Sequence, residues 1–161
     1  MISDSGLCPT SDQFLSWLGI LARVPSSLLT RLRDRGYRLT SQRRVVAEVL
    51  EGDNIHLTAD EVHRAAAARL PEISRATVYS TLHELTEMGE LLELNLDGRS
   101  KRYDPNVTPA HHHLVCDDCG LVFDVQHHVD APTLSESQRH GLLVNRAEIT
   151  YHGTCPTCQS A

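Results

Sequence analysis

Four of the five cysteines occur as two Cys-x-x-Cys pairs, Cys116 with Cys119 and Cys155 with Cys158. The two-residue gap lets both sulfurs of a pair reach one ion, and four thiolates form the closed tetrahedral set that structural zinc prefers. The 35 residues between the pairs (120–154) exceed the usual spacing of a zinc ribbon, so a redox-active dithiol stays open as the alternative. Because both pairs carry the pattern, we predict a structural Zn(II) site formed by all four cysteines.

Three consecutive histidines, His111-His112-His113, precede the first cysteine pair. On an extended segment the side chains alternate between faces, so His111 and His113 share a face and are able to bind one ion, while His112 points away. A histidine cluster also occurs as a solvated surface patch. The residues alone leave metal binding and solvation equally open.

The charge pattern divides the chain into two chemically different parts. A formal net charge of −6 argues against coating of nucleic acid by bulk electrostatics. Local cationic clusters occur nevertheless, with six arginines between residues 31 and 44 and three cations within residues 99–102. Seven of the ten histidines lie between residue 111 and the end. This distribution predicts a DNA-facing half followed by a cation-binding half.

No segment has the pattern of a secretory signal or a membrane span, which predicts a cytoplasmic protein without membrane association. In a reducing compartment, paired cysteines serve as metal ligands rather than as disulfides. Residues 1–27 stand apart as an N-terminal extension, either disordered or a short helix. We assign no role to Cys8, which lies in this extension.

The first half has the order of elements of a winged helix. The third predicted helix opens with a capping box from Thr58 to Glu61, and Asp97-Gly98 supplies a two-residue hairpin turn after the fourth. Three helices, a fourth with a polar outer face and a basic hairpin predict a winged helix-turn-helix domain. The predicted helices are residues 28–35, 40–50, 58–70 and 74–88, and the hairpin strands are 92–96 and 99–103.

The fourth helix has the features of a recognition helix. Apolar residues lie on its inner face, and its first turns present polar side chains outward, where base edges and phosphates are contacted. These polar residues are Arg75, Thr77, Tyr79 and Ser80.

The second half is predicted to be a small α+β domain. Strands are expected at residues 113–116, 121–125 and 143–151, and a helix is expected at 133–140, stopped by Gly141. The segment 105–109, bounded by two prolines, is typical of a linker.

Four segments carry a resemblance to a known family: residues 37–43 (YRLTSQR), 56–62 (HLTADEV), 74–82 (SRATVYSTL) and the histidine–cysteine set. In this order they resemble the ferric uptake regulator (Fur) superfamily over residues 28–158, with most similarity to its peroxide-responsive branch. The resemblance implies a homodimeric repressor that binds double-stranded operator DNA. The implied domains are an extension (1–27), a winged-helix DNA-binding domain (28–104), a hinge (105–109) and a dimerisation and metal-binding domain (110–161).

The resemblance also implies a regulatory metal site at the junction of the two domains. Three imidazoles and two carboxylates suit Fe(II) or Mn(II), and the set contains no thiolate that would favour zinc. The positions that match the family's ligands are His56, Asp104, His111, His113 and Asp124.

The aspartate at position 124 resembles the family members that sense peroxide, in which Fe(II) and hydrogen peroxide together oxidise a ligand histidine. By this analogy the oxidation-sensitive residues are His56 and His111. Iron, manganese or nickel acting as the signal without peroxide sensing is the alternative.

The chain also departs from the family pattern. Ala110 and Ala147 stand where many members have histidines of an additional metal site, and Ser80 replaces an arginine expected to contact phosphate. A substitute for the additional site would have to use His112, His127, His128 and Asp130.

For the DNA interface, we hypothesise that Arg38 enters the minor groove. The major groove is assigned to Arg75, Thr77 and Tyr79, and phosphate contacts are assigned to Arg99, Lys101 and Arg102. We predict no enzymatic activity, because the chain has no His-Glu-x-x-His motif. A zinc hydrolase and a metal-storage protein are the remote alternatives, and storage would not require a basic wing.

Overall fold

The structure is a computed structural model that describes residues 27–96, 98, 100–107, 111–126, 134–145 and 147–160. The predictions for Cys8, Arg99, His127, His128 and Asp130 lie outside these residues. In chain order the described elements are α1 (Leu28–Asp34), α2 (Ser41–Val49), β1 (Leu57–Thr58), α3 (Ala59–Arg69), α4 (Arg75–Glu87), β2 (Leu92–Leu94), β3 (Arg102–Asp104), β4 (His112–Cys116), β5 (Val122–Val125), α5 (Glu136–Arg139), β6 (Thr150–Gly153) and α6 (Pro156–Gln159).

Each of the first four helices begins after a hydroxyl residue that caps it. Ser27, Thr40, Thr58 and Ser74 each accept a hydrogen bond from the backbone N–H three residues later. Such caps satisfy a helix N–H that has no partner within the helix. The predicted capping box is confirmed, because Glu61 also accepts a hydrogen bond from the Thr58 backbone N–H at 2.8 Å.

Apolar side chains of α1 to α4 form one hydrophobic core. The predicted stripes of α2 and α4 lie in it, with Val46 and Val49 among the same buried residues as Val78, Leu82 and Leu85. Every member of this core lies between residues 28 and 103, so the helical half has a core of its own. None of the described helices is long and apolar enough to span a membrane.

A three-stranded sheet of order β1-β3-β2 completes the winged helix. Its antiparallel register places Leu57 opposite Tyr103, which brings His56 next to Asp104. In the hairpin, Leu94 lies opposite Arg102. A two-residue turn at Asp97-Gly98 would have placed Leu94 opposite Lys101, so the predicted register was wrong by one residue. Because side chains alternate along a strand, this shift exchanges the faces of Lys101 and Arg102.

The second half contains a sheet of order β5-β4-β6, in which β4 pairs antiparallel with β5 and parallel with β6. The β4–β5 register places His113 directly opposite Asp124. Each of the two sheets therefore delivers one histidine and one aspartate side by side, His56 with Asp104 and His113 with Asp124.

Two predicted elements of this half were too long. The strand expected at 143–151 is β6, which begins only at Thr150, in parallel register with His113 of β4. Leu142 and Leu143 are instead 72% and 83% exposed. The helix expected at 133–140 is α5, which begins at Glu136 because Ser135 and Gln138 form a capping box there. The short helix α6 was not predicted.

Candidate metal centres and the DNA-facing surface

The four predicted zinc ligands lie together in the structure. Cys116 ends β4, Cys119 lies in the turn after it, Cys155 caps α6 and Cys158 lies within α6. Their sulfur atoms all lie within 4.8 Å of one another, and the Sγ atoms of Cys119 and Cys155 are 3.8 Å apart. Pairing of β4 with β6 brings the two Cys-x-x-Cys pairs together despite their separation in sequence. The cluster has the composition and spacing of a tetrahedral thiolate site.

Backbone amides polarise two of these sulfurs toward the thiolate form. The N–H groups of Cys119 and Cys155 lower the pKa of Cys116 to about 6, and the Cys155 N–H lies 3.3 Å from the Cys116 Sγ. The N–H of Cys158 likewise lowers the pKa of Cys155. Since thiolates are the form that binds metal, the backbone N–H groups favour the metal-binding form of one cysteine in each Cys-x-x-Cys pair.

The five predicted regulatory ligands form a second cluster, with one donor atom from each lying within 4.8 Å of the others. The three imidazoles and Asp104 are buried, and Asp124 is half-buried. The Asp104 Oδ2 atom lies 3.0 Å from His111 Nε2, and the Asp124 Oδ1 atom lies 2.8 Å from His56 Nε2. The Nε2 atoms of His111 and His113 are 3.2 Å apart. All five side chains thus converge on one small volume.

The donor chemistry of this cluster fits a divalent cation. His56 Nε2 and Asp124 Oδ1 are buried and form no hydrogen bond of good geometry with a described residue, although they face each other. Buried polar atoms without partners are unfavourable, and a shared cation would satisfy both. Three imidazole nitrogens with two carboxylate oxygens are the ligand types that Fe(II) and Mn(II) accept.

Both carboxylates of the cluster are held in the ionised form. Burial alone raises the pKa of Asp104, but hydrogen bonds with His111 and His113 and the charge of His56 lower it to about 2. Burial likewise raises the pKa of Asp124, and contacts with His56 and Asn106 lower it below its usual value. Two negative charges in a protein interior favour the uptake of a cation.

Sequence reasoning did not identify two asparagines that lie beside the aspartate ligands, of which only Asn106 binds their carboxylate groups. Asn106 donates a hydrogen bond from its side-chain amide to Asp124 Oδ2 at 2.6 Å and from its backbone N–H to Asp104 Oδ1 at 2.7 Å. Asn54 accepts a hydrogen bond from the Asp124 backbone N–H at 2.9 Å. The only sequence signal was the position of Asn106 two residues after a predicted ligand.

The model of the ferric uptake regulator family matches residues 34–152 of this chain. The protein belongs to the ferric uptake regulator family. Transcriptional regulator FurA of Mycobacterium tuberculosis is 40% identical over 131 residues, which cover 80% of this chain and 87% of FurA. Peroxide-responsive repressor PerR of Staphylococcus aureus is 34% identical over 136 residues, which cover 81% and 88% of the two chains.

Solved structures of ferric uptake regulators and related proteins share the fold. A zinc-bound manganese uptake regulator superposes with a TM-score of 0.62 at 25% identity, over 80% of this chain and 98% of its own. The ferric uptake regulator of Vibrio cholerae superposes with a TM-score of 0.59 at 26% identity, over 78% and 98%. The α+β architecture, with a winged helix followed by a small domain that contains the four-cysteine cluster, is therefore the one predicted.

The residues that were predicted to contact DNA differ in their exposure. Arg38 and Arg75 are exposed and Tyr79 is 49% exposed, whereas Thr77 supports the α4 cap through a 2.9 Å contact between its hydroxyl and that of Ser74. The carbonyl oxygen of Arg38 accepts a hydrogen bond from Arg43, which holds the backbone while the Arg38 side chain reaches solvent.

The two described cations of the wing face different surroundings. Lys101 is exposed and pairs with Glu93 at 2.6 Å. The Arg102 side chain is only 17% exposed and donates to the His56 carbonyl oxygen at 2.9 Å. The structure therefore places Lys101 on the surface and turns Arg102 toward the regulatory cluster.

Proposed function

We propose that the protein is a metal-dependent transcriptional repressor that binds operator DNA as a homodimer. The observation that carries this proposal is the origin of the five clustered ligands. His56 and Asp104 belong to the winged helix. The other three ligands belong to the second half, where His113 lies in β4, Asp124 lies in β5 and His111 directly precedes β4. A cation bound by all five stabilises one relative position of the two halves, which links metal occupancy to the placement of α4. Such coupling is typically worth about 1–3 kcal/mol and acts equally in both directions.

The boundaries proposed from the sequence agree with this division of ligands. Residues 28–104 are the DNA-binding domain, 105–109 the hinge and 110–161 the dimerisation domain. The Vibrio cholerae regulator, whose structure reveals a rearrangement of its DNA-binding domains, supports movement of this kind. DNA contact is assigned to Arg38, Arg75, Thr77, Tyr79, Arg99 and Lys101. Arg102, whose guanidinium donates to the His56 carbonyl oxygen, is instead assigned to the support of His56.

The two clusters are proposed to hold different metals. Four thiolates suit a structural Zn(II), and its binding free energy would contribute directly to the folding of the β4–β6 half. The imidazole and carboxylate cluster suits a regulatory Fe(II) or Mn(II). When bound, this ion supplies the positive charge that holds the paired carboxylates and imidazoles of both halves together.

We further propose that hydrogen peroxide is the signal: with Fe(II) bound, peroxide would transfer one oxygen atom to a ring carbon of His56 or His111 and release the other as water. Both rings are buried in the cluster, so oxidation at either one would remove a ligand. The similarity to the Staphylococcus aureus peroxide-responsive repressor supports this interpretation. The similarity to the manganese uptake regulator and to the Vibrio cholerae ferric uptake regulator favours the second candidate, a repressor that responds to iron or manganese itself.

One experiment tests both levels of the proposal. The zinc-loaded dimer is charged with Fe(II) or Mn(II), and operator DNA selected from a random pool is bound before and after addition of hydrogen peroxide. A peroxide sensor loses DNA only in the Fe(II) form, with a mass increase of one oxygen on the peptide of His56 or His111. Equal survival of both forms would favour the iron or manganese repressor, and no selective DNA retention with any metal would refute the repressor itself.

A further inference from the structure

Asn106 lies between the two carboxylates of the regulatory cluster. It is the second residue of the linker, after Pro105, and it contacts a ligand from each half of the protein. Its backbone N–H donates to Asp104 Oδ1 at 2.7 Å, and its side-chain Nδ2 donates to Asp124 Oδ2 at 2.6 Å. One linker residue thus bridges the winged helix and the second sheet at the metal cluster.

Each carboxylate divides its two oxygens between Asn106 and the histidines. Asp104 presents Oδ2 to His111 at 3.0 Å while Asn106 binds its Oδ1. Asp124 presents Oδ1 to His56 at 2.8 Å while Asn106 binds its Oδ2. Since one oxygen of each group is engaged by an N–H, one oxygen of each remains directed at the imidazoles.

The orientation of the Asn106 amide is determined by its surroundings. An ionised carboxylate only accepts hydrogen bonds, so the NH₂ group must face Asp124. The Oδ1 atom is buried and accepts no hydrogen bond from the described residues. A buried acceptor without a partner costs free energy, and the bond to Asp124 offsets that cost.

We propose that Asn106 is a positioning residue that keeps both carboxylates monodentate and thereby limits the regulatory site to five protein donor atoms. The inference rests on the proposed metal site and adds to it the residue that sets its coordination. Outer-shell hydrogen bonds of this kind orient metal ligands, and their loss typically weakens metal binding about 10–100-fold.

Asn54 provides a matched comparison within the same site. It also contacts Asp124, but at the backbone N–H and not at the carboxylate. Its φ of 54° lies in the left-handed region, which glycine adopts without strain, so Asn54→Gly removes the contact while the backbone is retained. If the two contacts with Asp124 only held β5 in place, the loss of either one would have the same effect on the metal site.

The experiment uses the full-length, zinc-loaded protein and two probes of the regulatory site. Mn(II) titration measures affinity, and the visible absorption spectrum of Co(II) reports the coordination number. Asn106→Leu keeps the branched shape of the side chain and the backbone donor to Asp104 but removes the side-chain donor to Asp124. It is expected to weaken Mn(II) binding about tenfold and to shift the Co(II) spectrum. The Co(II) spectrum of Asn54→Gly is expected to be the same as that of the wild type. Asn106→Ala replaces Asn106→Leu if thermal unfolding or zinc content shows that the latter does not fold.

Three outcomes overturn the inference in distinguishable ways. If the wild type takes up no metal beyond zinc, the proposed regulatory site fails and the role of Asn106 fails with it. If the wild type binds and the Asn106 variants keep its affinity and spectrum, only the role of Asn106 is refuted. If Asn54→Gly shifts the spectrum as Asn106→Leu does, the effect is a general loosening of β5 and not control of the carboxylates.

Discussion

Arg31 donates a hydrogen bond from its guanidinium to the carbonyl oxygen of Pro105 at 2.9 Å, which joins α1 to the first residue of the linker. The same guanidinium binds the Glu90 carboxylate at 2.7 Å. Glu90 follows the end of α4 by three residues, and its side chain is only 2% exposed. Arg35 binds the other carboxylate oxygen of Glu90, also at 2.7 Å. The start of the linker is therefore held by the DNA-binding half, one residue after the metal-cluster residue Asp104.

We expect Arg31→Met to destabilise the protein and to uncouple metal from DNA. Breaking a buried ion pair usually costs about 3–5 kcal/mol, and about 2 kcal/mol is expected here because Arg35 still pairs with Glu90. Denaturant unfolding measures this loss, and operator affinity with and without Mn(II) measures the coupling. The control is Arg33→Met, an exposed residue of the same helix. If the two variants had equal stability and equal coupling between metal and DNA binding, Arg31 would have no special role in holding the linker.

Replacing Cys116 or Cys155 with serine should release about one equivalent of zinc and unfold the β4–β6 half, since the binding energy of structural zinc is folding energy. The helical half should persist because its core contains only residues 28–103. Atomic emission measures the zinc, and hydrogen exchange locates the unfolded strands. Cys8→Ser is the control for loss of a thiol. A Cys116 variant that retains its zinc and its protected strands would exclude the four-cysteine zinc site.

Arg38→Ala should weaken operator binding and lower the slope of log affinity against log salt by about one, because each phosphate neutralised by a protein cation releases counterions. Arg38 is exposed and its backbone is held by Arg43, so its loss should leave the fold intact. Fluorescence anisotropy at several salt concentrations measures the slope. Arg69→Ala, at another exposed arginine, is the control. An unaltered slope removes Arg38 from the interface.

Arg102→Ala should act on metal rather than on phosphate. Its guanidinium donates to the His56 carbonyl oxygen and lies 3.5 Å from Glu61, so its loss should displace His56 and weaken Mn(II) binding about tenfold. The salt slope of DNA binding by the Mn(II)-saturated variant should match that of the wild type. A reduced slope with unchanged Mn(II) affinity would instead return Arg102 to the phosphate contacts.

Local patterns in the amino-acid sequence were sufficient to predict the features that involve residues close together in the chain. Three such local patterns occur where they were predicted: the Cys-x-x-Cys pairs, the capping box at Thr58, and the apolar stripes of α2 and α4. The five-residue cluster was expected only through the resemblance to ferric uptake regulators, since spacing does not indicate that His56 and Asp124 meet. The family resemblance supplied that long-range information.

Features that depend on strand register or on contacts between residues far apart in the chain became apparent only in the folded structure. The hairpin register placed Arg102 inward, and the parallel register of β6 with β4 placed Thr150 beside His113. The contacts of Asn106 with two carboxylates and of Arg31 with Pro105 join residues whose types carry no sign of their partners. A hydrogen bond depends on the positions of both atoms, and those positions exist only once strands, helices and linker have packed together.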